Sequence, residues 1–262
     1  MRIDLKGKRA LVCGSTAGIG KAVALQLAEA GATVTLLARN EEKLKAVCHE
    51  LDSTSGQKHG YLVADFSKPE ALKIVVDNHM KSAKPYHILL NNTGGPAGGA
   101  VADAALDDFE RAFRSHLMCN HVLVQALVAG MKAEGYGRII NIISTSVKIP
   151  LSGLGVSNTI RGAVANWSKT MANELGQFGI TVNNVLPGAT ETERLSAIIS
   201  NKATKSGSSE AEVAAHMKAE VPARRFAQPW EVAAAATFLA SPLAGYINGI
   251  NVPVDGGRTG CL

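Results

Sequence analysis

"CGSTAGIG", residues 13–20, is the stretch on which the fold turns. An apolar run, "RALVCG", leads into it. "GKAVALQLAEAG" leads out with helical spacing and ends at Gly31. Strand, glycine-rich turn and helix start, in that order, aim unpaired backbone N–H groups at one point, and the helix dipole favours negative charge there. Gly14, Gly18 and Gly20 let the backbone approach closely. Glycine pairs also make ordinary tight turns. It is the strand before and the helix after that make a pyrophosphate the better reading.

The same alternation runs outward along the chain. "TVTLLAR", "HGYLVAD", "HILLNN", "GRIINIIS", "ITVNNVLP" and "INVPVDGG" read as strands. "EEKLKAVCHEL", "PEALKIVVDNHMK" and "PWEVAAAATFLAS" read as helices, with two longer ones over about 107–131 and 156–176. Strands that are apolar throughout, separated by helices, predict a parallel sheet covered on both faces. Right-handed crossovers then make an α/β fold with a doubly wound parallel sheet, a three-layer α/β/α sandwich. One domain is expected over residues 1–262, without repeat or linker. Residues 189–226 break the rhythm: they are polar, partly helical and follow a strand end, and they read as a flap over a substrate.

Composition narrows the function. The chain has 262 residues, 46% hydrophobic and 19% charged, with a net charge of +5. The basic residues are scattered, which argues against a nucleic-acid surface. Cys13, Cys48, Cys119 and Cys261 form no CxxC pair, and no His/Cys cluster has metal-ligand spacing, so no metal is expected. The N-terminus "MRIDLKGKRALVCG" is too polar for a signal peptide, and no apolar run is long enough to cross a bilayer. Reduced thiols and a cytoplasmic location are the expectation.

Several motifs in order resemble the short-chain dehydrogenases/reductases, a family with a Rossmann fold. Its Thr-Gly-x-x-x-Gly-x-Gly pattern is matched with Cys13 in place of the Thr. "LLNNTGG" (89–95) resembles its Asn-Asn-Ala-Gly, with Thr93 for Ala. "VAD" ends at Asp65, the acidic position that meets the adenine amine. "NNVLPGATET" resembles the Pro-Gly segment that holds the nicotinamide carboxamide through the Thr190 backbone and the Thr192 hydroxyl, and "VDGG" (254–257) the C-terminal signature. The resemblance implies cofactor contacts at Gly14, Ser15, Gly18, Ile19, Gly20, Arg39, Asp65, Phe66, Asn92, Gly94, Arg161, Pro187, Gly188, Thr190 and Thr192. The second strand sets cofactor choice. Ala38 stands at its expected acidic position and Arg39 follows. A guanidinium suits a ribose 2′-phosphate, so NADP(H) is expected; if Arg39 instead stacks on adenine, NAD(H) stays open.

The resemblance also exposes a departure. The family uses a Tyr, a Lys four residues later, a Ser thirteen residues before the Tyr, and an Asn in the preceding long helix. Here Ser144 falls at the Ser position, Ser157 at the Tyr, Arg161 at the Lys and His116 at the Asn, with Asn120 the alternative one turn later. Serine is a far weaker acid than tyrosine, and arginine does not pass protons. Arg161 and Ser144 can instead hold negative charge. His116 becomes the candidate general acid or relay, beside the reading in which it fills a polar slot. As an acid it would make reduction fall as pH rises through its pKa.

Two functions follow. One is an NADP(H)-dependent oxidoreductase moving a hydride between nicotinamide and a small carbonyl, alcohol or enone. An enone would yield an enolate that needs only an oxyanion holder at once. The alternative is a catalytically silent NADPH-binding regulator or partner subunit. The resemblance further implies a homotetramer or homodimer, paired through the long helices.

Overall fold

The computed structural model describes residues 3–261; Met1 and Arg2 of the polar N-terminal stretch, and Leu262, lie outside them. The glycine-rich stretch links β1 (Arg9–Cys13) to α1 (Gly18–Glu29). The chain then winds outward through β2 (Thr33–Ala38), α2 (Glu41–Glu50) and β3 (Gly60–Val63). The crossover α3 (Pro69–Met80), which starts on a proline whose missing N–H costs nothing there, returns it to β4 (Ile88–Asn91) on the other side of β1. From there β5 (Gly137–Ile142), β6 (Ile180–Pro187) and β7 (Asn251–Val254) add in sequence. The strand order is β3-β2-β1-β4-β5-β6-β7, every pairing parallel. The order reverses between β1 and β4, so a crevice opens outside their carboxyl ends.

Two apolar clusters cover the two faces. Val12, Val34 and Leu36 pack with Val23 and Leu27 of α1, and with Val232 and Leu239 of α9 (Pro229–Ala240). Leu11 and Leu89 pack on the other face with Leu72 and Val76 of α3, and Leu123 and Leu127 of α5 (Cys119–Ala133). Neighbours Leu11 and Val12 thus serve opposite faces, as the two-residue period of a strand requires.

A polar ladder crosses this apolar sheet. Asn91, Asn141, Asn184 and Asn251 stand side by side on four adjacent strands. Each amide donates to the next carbonyl, at 2.8, 3.0 and 2.8 Å. Asn141 also reaches the Ser168 hydroxyl at 3.2 Å. A slip of one residue would turn every one of these amides to the other face, so the ladder pins register where the strands approach the crevice.

One predicted element differs, and the partly helical segment is now defined. The helix expected over about 107–131 is α4 (Leu106–Phe113) and α5, joined by one wide π-turn at Arg114–Met118. A π-turn leaves the apolar spacing nearly intact, which is why periodicity reads straight through it. The polar segment at 189–226 holds two helices, α7 (Glu193–Ser206), capped by the Thr192 hydroxyl, and α8 (Glu210–Ala219), capped by Ser209. The other long helix is α6 (Gly155–Leu175). Among the described residues, no helix is long and apolar enough to cross a membrane, and no cluster of His, Cys, Asp or Glu could hold a metal ion.

Candidate nucleotide and catalytic site

The glycine loop is braced from three sides. Gly14 donates its N–H to the Leu37 carbonyl at 2.9 Å, and the Ser15 hydroxyl accepts from Leu37 N at 3.1 Å. The Asn92 amide donates to the carbonyls of Gly14 and Cys13 at 3.2 and 3.3 Å. Close packing demands the glycines. Gly14 has φ +58°, and a Cβ there would lie 2.7 Å from the Asn92 carbonyl oxygen; one at Gly20 would lie 2.2 Å from the Gly14 oxygen. No side chain caps the start of α1, so its first amides keep their capacity for an anion. This crowded, uncapped cradle is what a dinucleotide pyrophosphate fits.

Opposite the loop, the Pro-Gly segment leaves β6 at Pro187. Gly188 N bonds to the Val254 carbonyl at 2.9 Å, which seats it against the end of β7. The buried Thr190 donates its hydroxyl to the Gly188 carbonyl at 3.1 Å. Thr192 closes the ring: its Cγ2 would stand 3.1 Å from a Cβ on Gly18. Its hydroxyl donates to Thr190 O and accepts from Leu195 N, so the group expected to meet a carboxamide is engaged in capping α7. At the other end, Arg39 is exposed just past β2. Asp65 is half-buried, and the Ser67 backbone N–H, with Arg39 and Lys68 adding, holds its carboxyl below the usual range.

Some expected contacts point elsewhere. The Ser15 side chain is fully buried and braces β2. Phe66 is buried in the core beside Leu72, and its carbonyl accepts from the Cys119 thiol at 3.2 Å. Ile19 is half-buried against the α1 face of the core. Only the backbones of these three are left to face a ligand. Around Gly94 there is open space; the crowded glycine is its neighbour Gly95.

At the inner end of the crevice lie the candidate catalytic groups. Ser144 ends the run from β5, and its Oγ accepts from Ser146 N at 3.1 Å. Arg161 is buried on α6 and donates through Nη1 to the Ile142 carbonyl at 2.9 Å. Half-buried Ser157 lies one turn earlier on the same face. His116 sits on the π-turn at 2% exposure. Asn120, the alternative, is buried one turn on. His116 Nε2, Arg161 Nε, Ser146 Oγ and Asn158 Oδ1 are all buried without a partner in the protein. Native interiors pair nearly all such atoms, and Arg9 Nε and Asn91 Oδ1 are the others left so among the described residues.

The electrostatics revise one expectation. Burial, then the positive charges of Arg161 and Arg194, push the His116 pKa down to about 2. The imidazole is neutral near pH 7 and has no extra proton to give, so its expected titration as a general acid is not found. Desolvation and two guanidinium neighbours outweigh its intrinsic basicity. Burial and Arg194 also lower Arg161, to about 10, which leaves it charged at pH 7.

Sequence reading missed Arg194. Its Nη2 donates to the Pro96 carbonyl at 2.6 Å. A point where Gly95 would carry a Cβ lies 3.4 Å from that Nη2 and 3.7 Å from Nη2 of Arg161. There was a signal: Arg194 is the second residue of α7, where the helix dipole disfavours a cation.

A glycine loop at the switch point of a doubly wound parallel sheet defines a Rossmann-type α/β protein. The comparisons with known proteins are narrower. A family model described as enoyl-(acyl carrier protein) reductase matches residues 14–259. The chain is 32% identical to the 3-oxoacyl-(acyl-carrier-protein) reductase FabG of Aquifex aeolicus, over 98% of this chain and 99% of that one. It is 35% identical to glucose 1-dehydrogenase of Gluconobacter oxydans, over 97% of this chain and 92% of that one. Among solved structures it resembles L-sorbose reductase of Gluconobacter frateurii, complexed with NADPH and L-sorbose. The TM-score there is 0.93 at 31% identity, covering 100% of both chains. The chain belongs to the short-chain dehydrogenase/reductase family of oxidoreductases.

Proposed function

We propose that this protein is an NADPH-dependent reductase of a small carbonyl compound or enone, with Arg161 and Ser144 holding the oxyanion that forms. The observation that carries the reading is a closed path. The glycine loop meets Thr192 at Gly18, and two residues further Arg194 stands beside the buried guanidinium of Arg161, whose Nε has no partner in the protein.

Arg39 takes the ribose 2′-phosphate and Asp65 the adenine end, with the uncapped start of α1 on the pyrophosphate. When bound, NADPH supplies a hydride, so the substrate carbon gains two electrons and one proton must come from elsewhere. Ser144 already accepts a hydrogen bond, which leaves its own hydroxyl hydrogen to donate to the developing oxyanion. Arg161 stabilises that charge from a buried position. His116, neutral, acts as a hydrogen-bonding partner rather than an acid. Ser157 leaves space on the face where the family's phenol stands. Neutral His116 has no extra proton to give, so water is the proton source. That suits an enone best: a hydride on the β-carbon leaves an enolate, whose oxygen stays with Arg161 and Ser144 while water protonates the α-carbon and departs as hydroxide to solvent. Residues 189–226 cover the substrate as a lid. The wider proposal is one cytoplasmic domain, 1–262, assembled as a homotetramer or homodimer through α4, α5 and α6, where Leu106, Phe113 and Met118 are exposed.

The test is NADPH oxidation against a panel of ketones, quinones and enones, with NADPH binding measured separately. Turnover of enones above ketones is the expected result. Tight binding with no turnover anywhere would replace the reductase by a cofactor-responsive regulator.

A further inference from the structure

The corner holds more positive charge than oxyanion stabilisation needs. Nη2 of Arg161 and Nη2 of Arg194 reach the same spot over Gly95, at 3.7 and 3.4 Å from it. Arg161 is 8% exposed, and its Nε has no partner in the protein. His116, 2% exposed, adds an unpartnered Nε2. The charge acting on Arg161 is that of Arg194, a like charge. The nearest acids in sequence are accounted for. Glu191 accepts from the Gln228 amide at 2.7 Å, and Glu193 lines the cleft between α7 and Phe226 that Lys218 also lines. Arg194 stands exposed in the first turn of α7, where the helix dipole disfavours a cation, and its Nη2 also donates to the Pro96 carbonyl.

We infer that Arg161 and Arg194 together clasp a carboxylate of the substrate, so that the enzyme acts on small keto or enoyl acids; this rests on the reductase reading of the corner. Planar guanidinium forks match the two oxygens of a carboxylate, and charge-assisted bonds of this kind are the strong ones. A carboxylate offers only acceptors, which is what Arg161 Nε lacks. Bound over Gly95, it fixes the acid end of the substrate, leaving Ser144 and the near side of Arg161 to the reacting carbonyl. The same clasp makes the site selective, because a neutral analogue leaves two like charges facing each other in a partly dry pocket.

The experiment titrates pyruvate, 2-oxoglutarate and benzoylformate, each beside its methyl ester, into protein saturated with NADP+, by calorimetry. The acids are expected to bind ten- to a hundredfold more tightly than the esters. Arg194→Gln is expected to erase the difference and Arg194→Lys to keep part of it. Equal binding of acid and ester overturns the proposal, as does a preference that survives in Arg194→Gln. Inorganic phosphate is titrated as well; if it binds and the acids do not, the site takes phosphate esters and the carboxylate assignment fails. NADP+ binding is measured first. If it is absent, the reductase reading falls, and the acids are titrated into the free protein, where the two guanidiniums already meet.

Discussion

The two ends of the crevice are built in opposite ways. At the nucleotide end the polar side chains are occupied: Ser15 with Leu37, Asn92 with Gly14 and Cys13, Thr190 with Gly188, Thr192 with Leu195. At the candidate catalytic end they are occupied only in part: Ser144 Oγ accepts from Ser146 N and Arg161 Nη1 donates to Ile142 O, while His116 Nε2 and Arg161 Nε have no protein partner. The first end is a shape closed by its own hydrogen bonds. The second keeps hydrogen-bonding capacity that the proposed substrate would use. Unsatisfied buried groups cost stability, and of those described, which also include Arg9 Nε and Asn91 Oδ1, His116 Nε2 and Arg161 Nε are the two that the reductase reading uses.

The largest predicted effect breaks the nucleotide end. In Gly20→Ala the added Cβ meets the Gly14 carbonyl at 2.2 Å, and neither backbone has room to give. NADPH affinity should fall by about a hundredfold or more, from strain of a few kcal/mol. Calorimetry checks this, with circular dichroism to show that the sheet persists. Affinity within threefold of the parent would mean that the cradle is softer than its packing implies. The next effect breaks the candidate catalytic end. Arg161→Met should lower kcat by about 10²–10³ if the guanidinium holds the oxyanion. NADPH binding should change far less, since the cradle is braced without it. A fall in cofactor affinity with kcat preserved would move Arg161 from the reaction to the cofactor.

The same contrast explains what could be read from the sequence. The nucleotide end was legible because it is local: strand, glycines and helix start are contiguous, and each follows from backbone geometry. The parallel sheet was legible from continuous apolar strands. The asparagine ladder was not, because Asn91, Asn141, Asn184 and Asn251 look like isolated polar residues until register aligns them. The catalytic end was half legible. Ser144, Ser157 and Arg161 could be placed by spacing. Arg194 comes from a different helix, and its meeting with Arg161 over Gly95 is a tertiary fact. The neutrality of His116 was also out of reach, since desolvation depends on what closes around the ring.

A smaller effect sharpens the nucleotide end. Arg39 lies exposed just past β2, so its hold on a 2′-phosphate is partly screened. Arg39→Ala should cost about tenfold in NADPH affinity and leave NADH affinity nearly unchanged, as charge-assisted bonds at a surface do. Raising the salt should shrink the gap. Equal loss for both cofactors would assign Arg39 to stacking on adenine.

The smallest effect on rate belongs to His116, and it separates an acid from a spectator. The imidazole titrates near 6.5 when unfolded and near 2 in the fold. Between those values the unfolded chain holds a proton that the folded chain lacks, so stability falls as pH drops below about 6.5. The slope from this one group is up to about 1.4 kcal/mol per pH unit. Above about pH 7.5 the ring is neutral in both states and contributes no slope. Reduction should therefore show no histidine limb between pH 6 and 8, contrary to what an acid at this position requires. His116→Gln should flatten the acid side of the stability curve, read by urea unfolding from pH 4.5 to 7. His79 and His87 are also lowered by burial, so the variant's slope is compared with the parent's rather than with zero. If the rate falls through pH 6.5 and the fall disappears in His116→Gln, the ring carries a proton in the working complex. A bound anion would then have to be raising its pKa, since the guanidiniums of Arg161 and Arg194 act only to lower it.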